Sequence, residues 1–66
     1  MSRWVFDVME TGSAAKVLTT ESIEVATATI NGDFEYYYLI AKRGGISQTV
    51  GTHAQLCTLA VLVGDN

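Results

Sequence analysis

Apolar and polar positions alternate cleanly from Arg3 to Glu10, with Trp4, Phe6 and Val8 on one side and Arg3, Asp7 and Met9 mostly on the other. That period of two predicts a half-buried strand. Thr11-Gly12-Ser13 has the chemistry of a turn, and Ala14 to Leu18 returns as a second strand. A three-residue loop pairs Glu10 with Ala14, Val8 with Lys16 and Phe6 with Leu18. The period then changes. Thr19-Thr20-Glu21-Ser22 reads as a helix entry, with either Thr able to cap and with Glu21 and Glu24 where a helix dipole favours negative charge. With Thr19 as the cap, Leu18 and Ile23 form a hydrophobic staple. Ile23, Ala26, Thr27 and Ile30 form the helical stripe, and Asn31-Gly32 stops it.

Asn-Gly is also a strong two-residue hairpin signal, and it gives this segment a rival. Such a hairpin pairs Thr29 with Phe34, Val25 with Tyr38 and Ile23 with Ile40, and the β-branched residues between Ile23 and Ile30 favour it. Beyond it, Phe34 to Arg43 is aromatic and apolar enough for a strand. Gly44-Gly45 makes a tight turn, and Ile46 to Val50 returns, with Leu39 facing Val50 and Ile40 facing Thr49. Thr52-His53-Ala54-Gln55 is a capping-box pattern. Leu56, Leu59, Ala60 and Val63 follow at helical spacing, and Gly64 closes the segment.

The two halves overlay. Residues 4–33 and 37–65 each read as run, turn, run, Thr, helix, Gly-Asp, with Thr20 on Thr52, Ala28 on Ala60, Gly32 on Gly64 and Asp33 on Asp65. The overlay favours the helix over the hairpin for Ser22 to Ile30. The expectation is a single α+β domain over residues 1–66, ββαββα, with a four-stranded antiparallel sheet and both helices on one face. An all-β small barrel or meander is the alternative. Trp4, Phe6, Val8, Leu18, Tyr37, Leu39, Ala41, Ile46 and Val50 are expected under the helices. Val5, Asp7, Met9, Val17, Tyr36, Tyr38, Ile40, Lys42 and Thr49 are expected on the open face.

That open face carries the functional reading. Apolar side chains and tyrosines on an uncovered sheet mark an interaction surface. Val5, Met9, Val17, Tyr36, Tyr38, Ile40 and Lys42 are its candidate residues, and Glu21 and Glu24 are candidates for an acidic contact with a basic partner. At 66 residues the chain can bury only part of the surface it exposes when unfolded. With one cysteine it has no internal disulfide, so self-association is the cheapest way to enlarge the core. Packing of one sheet face on another is the expected homodimer.

Composition narrows the chemistry. The chain is 48% apolar and 17% charged, with four Lys and Arg against seven Asp and Glu, for a net charge of −3. The cations are too few and too scattered for a phosphate-backbone footprint. Ser2-Arg3-Trp4 leads directly into a strand pattern and the last apolar run is short, so neither a leader nor a membrane span is expected. The lone Cys57 favours a cytoplasmic protein. His53 and Cys57 are four apart, but one Cys and one His make no metal cage. The simpler reading has Cys57 as a small buried hydrophobe and His53 near solvent. Gly44-Gly45 joins strand to strand and is not a phosphate loop. No catalytic residue, metal or cofactor is expected.

The functional expectation is a small non-catalytic protein that binds and modulates or inhibits a partner protein, of the kind carried by viruses and mobile elements. One alternative is a small-ligand-binding module or enzyme built at a homodimer interface, with Tyr36, Tyr38, His53 and Cys57 lining a shared cleft. A second is single-stranded nucleic-acid binding, with Tyr36 and Tyr38 as stacking platforms.

Overall fold

The computed structural model describes residues 3–64. Strands β1 (Val5–Glu10) and β2 (Lys16–Thr20) are followed by helix α1 (Ile23–Ile30). Strands β3 (Tyr37–Arg43) and β4 (Ile46–Val50) are followed by helix α2 (His53–Gly64). The sheet is antiparallel throughout, in the order β2-β1-β3-β4. The expected ββαββα architecture is therefore present, and the hairpin at Asn31-Gly32 is not. Asn31 sits at φ 52°, ψ 41°, and its N–H donates to the Thr27 carbonyl, which ends α1 as a left-handed C-cap.

One core serves both helices. Phe6 and Val8 from β1, Leu39 and Ala41 from β3 and Val50 from β4 meet Ala26 and Ile30 of α1 and Leu56 and Leu59 of α2. Trp4, Leu18, Ile23, Phe34, Tyr37 and Val63 pack around them. All the residues expected under the helices are found there except Ile46, which is 75% exposed. It stands on the helix side of the sheet, at the edge, beyond the cover of α2.

The central strand pair has a symmetric register. Phe6 pairs with Ala41 and Val8 with Leu39, on either side of Asp7 opposite Ile40. Exchanging the strands about Asp7–Ile40 places Phe6 on Leu39 and Val8 on Ala41, as the overlay of the two halves does. The outer strands break this relation. Leu39 pairs with Val50, but Phe6 pairs with Thr20 and Val8 with Leu18. The expected pairing of Phe6 with Leu18 and Val8 with Lys16 is thus displaced by two residues. The first turn is longer than three residues: Glu10 N–H donates to the Ala15 carbonyl, Ala14 N–H to the Glu10 carbonyl, and Ala14 takes φ 56°. Met9 therefore faces Lys16, and a bulge between Val8 and Met9 adds the second residue of displacement.

Three local expectations are also corrected. The α1 cap is Ser22, whose hydroxyl accepts from Val25 N–H at 3.2 Å, and neither Thr19 nor Thr20 fills that role. Thr20 Oγ1 instead accepts from Ser22 N–H, and Thr19 is a strand residue. Thr27 and Ala60, assigned to the apolar stripes, are exposed. The third strand begins at Tyr37 and not at Phe34, because the Asp33 carbonyl accepts from the N–H groups of Tyr36 and Tyr37 and closes a turn there. Asp65, matched to Asp33 in the overlay, lies outside the described residues.

Candidate interaction surfaces

The sheet face turned away from the helices is built by the odd residues of β1 and the even residues of β3. Val5, Met9, Tyr38 and Ile40 are half-buried on it. Val5 faces Lys42, Asp7 faces Ile40 and Met9 faces Tyr38. Val17, the residue displaced by the bulge in β2, is 47% exposed. Six of the seven candidate residues therefore belong to strands of this sheet. Tyr36 is the exception: it is 61% exposed in the turn before β3, beside the strand and not in it.

Asp7 is the feature of this face that alternation alone does not disclose. It is 2% exposed although no helix covers it. Lys42 Nζ lies 2.8 Å from its Oδ2, and Thr19 Oγ1 donates to its Oδ1 at 2.8 Å. Lys16 Nζ stands 3.9 Å from the same Oδ1. The hydrogen bond from Lys42 is the main reason its carboxyl is held below the ordinary value of 3.8; burial pushes the other way, and Thr19 and Lys16 add to the lowering. The expected pairing with Val8 would have turned Lys16 toward the helices, whereas the longer turn sets it opposite Met9, on the open face beside Asp7. The two ammonium groups stay half-exposed around one carboxylate, so the centre of the face is cationic within an acidic chain.

The acidic candidates are separate from this centre. Glu21 is paired with Arg3 at 3.3 Å, both side chains well exposed, and such a pair contributes little to stability. Glu24 lies exposed in the first turn of α1. A third group of carboxylates, Glu10, Asp33 and Glu35, lines a shallow cavity of about 530 Å³ with Tyr36 and Tyr37.

The helix side holds a second apolar surface, which pattern reading did not find. It treated α2 as a one-sided stripe. The helix is apolar nearly all round and buries only Leu56 and Leu59, leaving Val61 71% and Leu62 52% exposed. Leu62 reaches the β3–β4 turn and lines a groove of about 500 Å³ with Trp4, Arg43, Ile46 and Gln48. Trp4 stacks on Phe6 at 6.1 Å, and the Arg43 guanidinium lies 5.6 Å over the Trp4 ring. The available signal was the absence of Asp, Glu, Lys and Arg from residues 46 to 64.

Cys57 is exposed on α2, contrary to its expected burial, and His53 is exposed on the same helix. Tyr38 lies across the sheet from both, so a single protomer does not gather Tyr38, His53 and Cys57 into one cleft. Among the described residues no three His, Cys, Asp or Glu side chains are grouped as metal ligands would be. No helix among them is long and apolar enough to cross a membrane. No protein-family model, curated protein or solved structure matches this chain.

Proposed function

We propose that this chain is a non-catalytic interaction protein, acting in the cytoplasm as a homodimer, that binds a partner protein through the open sheet face and modulates or inhibits it. The observation that supports this reading is the composition of that face. Val5, Met9, Tyr38 and Ile40 surround a buried carboxylate whose two lysine partners remain half-exposed. Tyr38 and Met9 are residue types enriched in protein interfaces, where apolar area gives affinity and fixed charge gives orientation. The partner that fits carries apolar side chains and a carboxylate to meet Lys16 and Lys42.

The same lysines argue against a second copy as the occupant of this face. Face-to-face packing would bring Lys42 and Lys16 of both copies together, and like charges brought together in an interface cost several kcal/mol. Small acidic proteins with these traits occur among the modulators of viruses and mobile elements, which is an analogy of class. Nucleic acid receives less support: four Lys and Arg stand against seven Asp and Glu, Arg3 is paired with Glu21, and Arg43 lies on Trp4.

The test is capture from the native host with three baits. Wild type and Val61→Glu, altered on α2, should retain the same partner. Tyr38→Glu, with unchanged thermal stability, should lose it. Equal capture by all three baits would remove the sheet face from the proposal.

A further inference from the structure

We infer that two copies of the chain join through the free edge of β4, strand to strand and antiparallel about Gln48, with the uncharged faces of their α2 helices side by side. This deepens the homodimer reading above and is independent of the partner-binding face, which stays open in such a dimer.

The two edges of the sheet differ. The β2 edge is guarded by the bulge at Val8/Met9 and by Lys16, both common devices against edge pairing. The β4 edge, Ile46-Ser47-Gln48-Thr49-Val50, has no charge, no proline and no bulge in its pairing with β3. Its first four residues are exposed. The turn that begins it has Gly44 at φ 62° in the first central position, the arrangement of a type II′ hairpin. That turn makes Arg43–Ile46 a hydrogen-bonded pair, and Ala41–Gln48 and Leu39–Val50 follow by alternation. The backbone groups of Ser47 and Thr49 therefore point away from β3. A twofold axis at Gln48 sets Ser47 against Thr49 of the partner subunit, and the reverse, so that every outward donor and acceptor of the pair finds its match.

Charge selects the occupant. Copies of a chain with net charge −3 repel, and a contact free of charge adds no like-charge pairs to that repulsion. Residues 46 to 64, which make up β4 and α2, contain no Asp, Glu, Lys or Arg. Chain reversal after Val50 lays α2 back along the sheet, so that its Leu62 lies beside Ile46 and Gln48. Edge and helix thus form one continuous uncharged surface with matched lengths, about 17 Å of strand and about 18 Å of helix. A five-residue edge and one helix face make a small contact, which calls for a reversible, concentration-dependent dimer.

The test is sedimentation velocity on the full chain over a concentration series, with circular dichroism to confirm folding. Wild type should rise from 7.1 kDa toward twice that mass. Gln48→Lys and Gln48→Glu should each dimerise at least about tenfold more weakly, through like charges at the axis, and an equimolar mixture should recover the dimer. In a Cys57→Ser background, Gln48→Cys should oxidise to a covalent dimer, because facing non-hydrogen-bonded residues bring their Cα atoms to about 4.5 Å. Ser47→Cys, which faces Thr49 of the partner subunit, should not. A wild-type monomer at every concentration would overturn the inference. So would a dimer that ignores both Gln48 charges yet is lost in Tyr38→Glu. Partner capture by monomeric Gln48→Lys, with dimerisation abolished, would show that the binding face and the dimer edge are separate.

Discussion

Asp7 and Lys42 meet diagonally across the central strand pair, carboxylate to ammonium at 2.8 Å, with Asp7 buried and Lys42 half in water. The lysine thereby closes the open sheet face over a carboxylate that has no helix above it. Removing the ammonium leaves Asp7 with Thr19 at 2.8 Å and Lys16 at 3.9 Å, too little to satisfy a desolvated charge. Lys42→Met should therefore cost about 1–3 kcal/mol in urea unfolding, although it adds apolar surface. Arg3→Met, which breaks only the exposed pair with Glu21, should change stability by less than about 1 kcal/mol.

The same site gives the chain an acid-sensitive component. The folded-state value of Asp7 lies below 3.8, chiefly because of the Lys42 hydrogen bond. A group lowered on folding contributes fully above its unfolded value and loses that contribution as pH falls through the folded one. Asp7→Asn should thus be less stable than wild type at neutral pH. The gap should narrow only below about pH 4, as the wild-type carboxylate takes up its proton. Urea midpoints for both proteins at neutral pH and on the acid side supply the comparison, and the remaining carboxylates cancel between them.

Much of the fold is legible in the chain because its signals are local. Gly44-Gly45 fixes both the turn and the β3–β4 register, and Leu39–Val50 follows from it. The first hairpin resists such reading. Thr11-Gly12-Ser13 announces a turn without fixing its length, and nothing in the residue type marks Ala14 for a positive φ. One extra residue in that turn decides whether Lys16 points at the core or at Asp7. Tyr36 lies in the turn before β3 and Val17 at the bulge, whereas five sheet-face candidates, Val5, Met9, Tyr38, Ile40 and Lys42, follow from alternation. The buried Asp7 does not, since its cations arrive from two neighbouring strands. The exposed side of α2 was missed because a run of apolar residues at helical spacing reads the same whether one face is covered or all are.

Helix α2 is held by few anchors. Leu56 and Leu59 are its buried residues, with Val63 partly covered. Leu59→Ala removes a side chain that is 0% exposed and should cost about 2–4 kcal/mol. Because α2 has so little else in the core, the loss should be regional. Amide exchange should speed up along α2 before it does in β1 and β3. Uniform acceleration across the sheet would show instead that α2 and the sheet open together.

The cap assignments can be separated by single substitutions. Ser22→Ala removes the hydroxyl that accepts from Val25 N–H and should cost about 1 kcal/mol, with lower α1 helicity. Thr19→Ala touches no helix terminus. Its cost should come through Asp7, which loses a donor, and should shrink when combined with Asp7→Asn. A double-mutant cycle in chemical denaturation measures that coupling. Equal helix loss in Thr19→Ala and Ser22→Ala would return the cap to Thr19.

Ala14 offers the reverse case, a substitution that should stabilise. It holds φ 56°, where an L-residue with a Cβ is disfavoured by roughly 1–2 kcal/mol. The position is kept by the turn: Ala14 N–H donates to the Glu10 carbonyl, and the Ser13 hydroxyl donates to the Glu10 carboxylate at 2.7 Å. Glycine relieves the backbone strain but returns some entropy to the unfolded chain. Ala14→Gly should therefore gain about 0.5–1 kcal/mol net, read as a higher urea midpoint with an unchanged slope. Ala14→Val, β-branched in the same conformation, should lose more than the glycine gains. If both variants lose stability, the first turn does not hold Ala14 in the left-handed region, and the shift that brings Lys16 to Asp7 loses its structural cause.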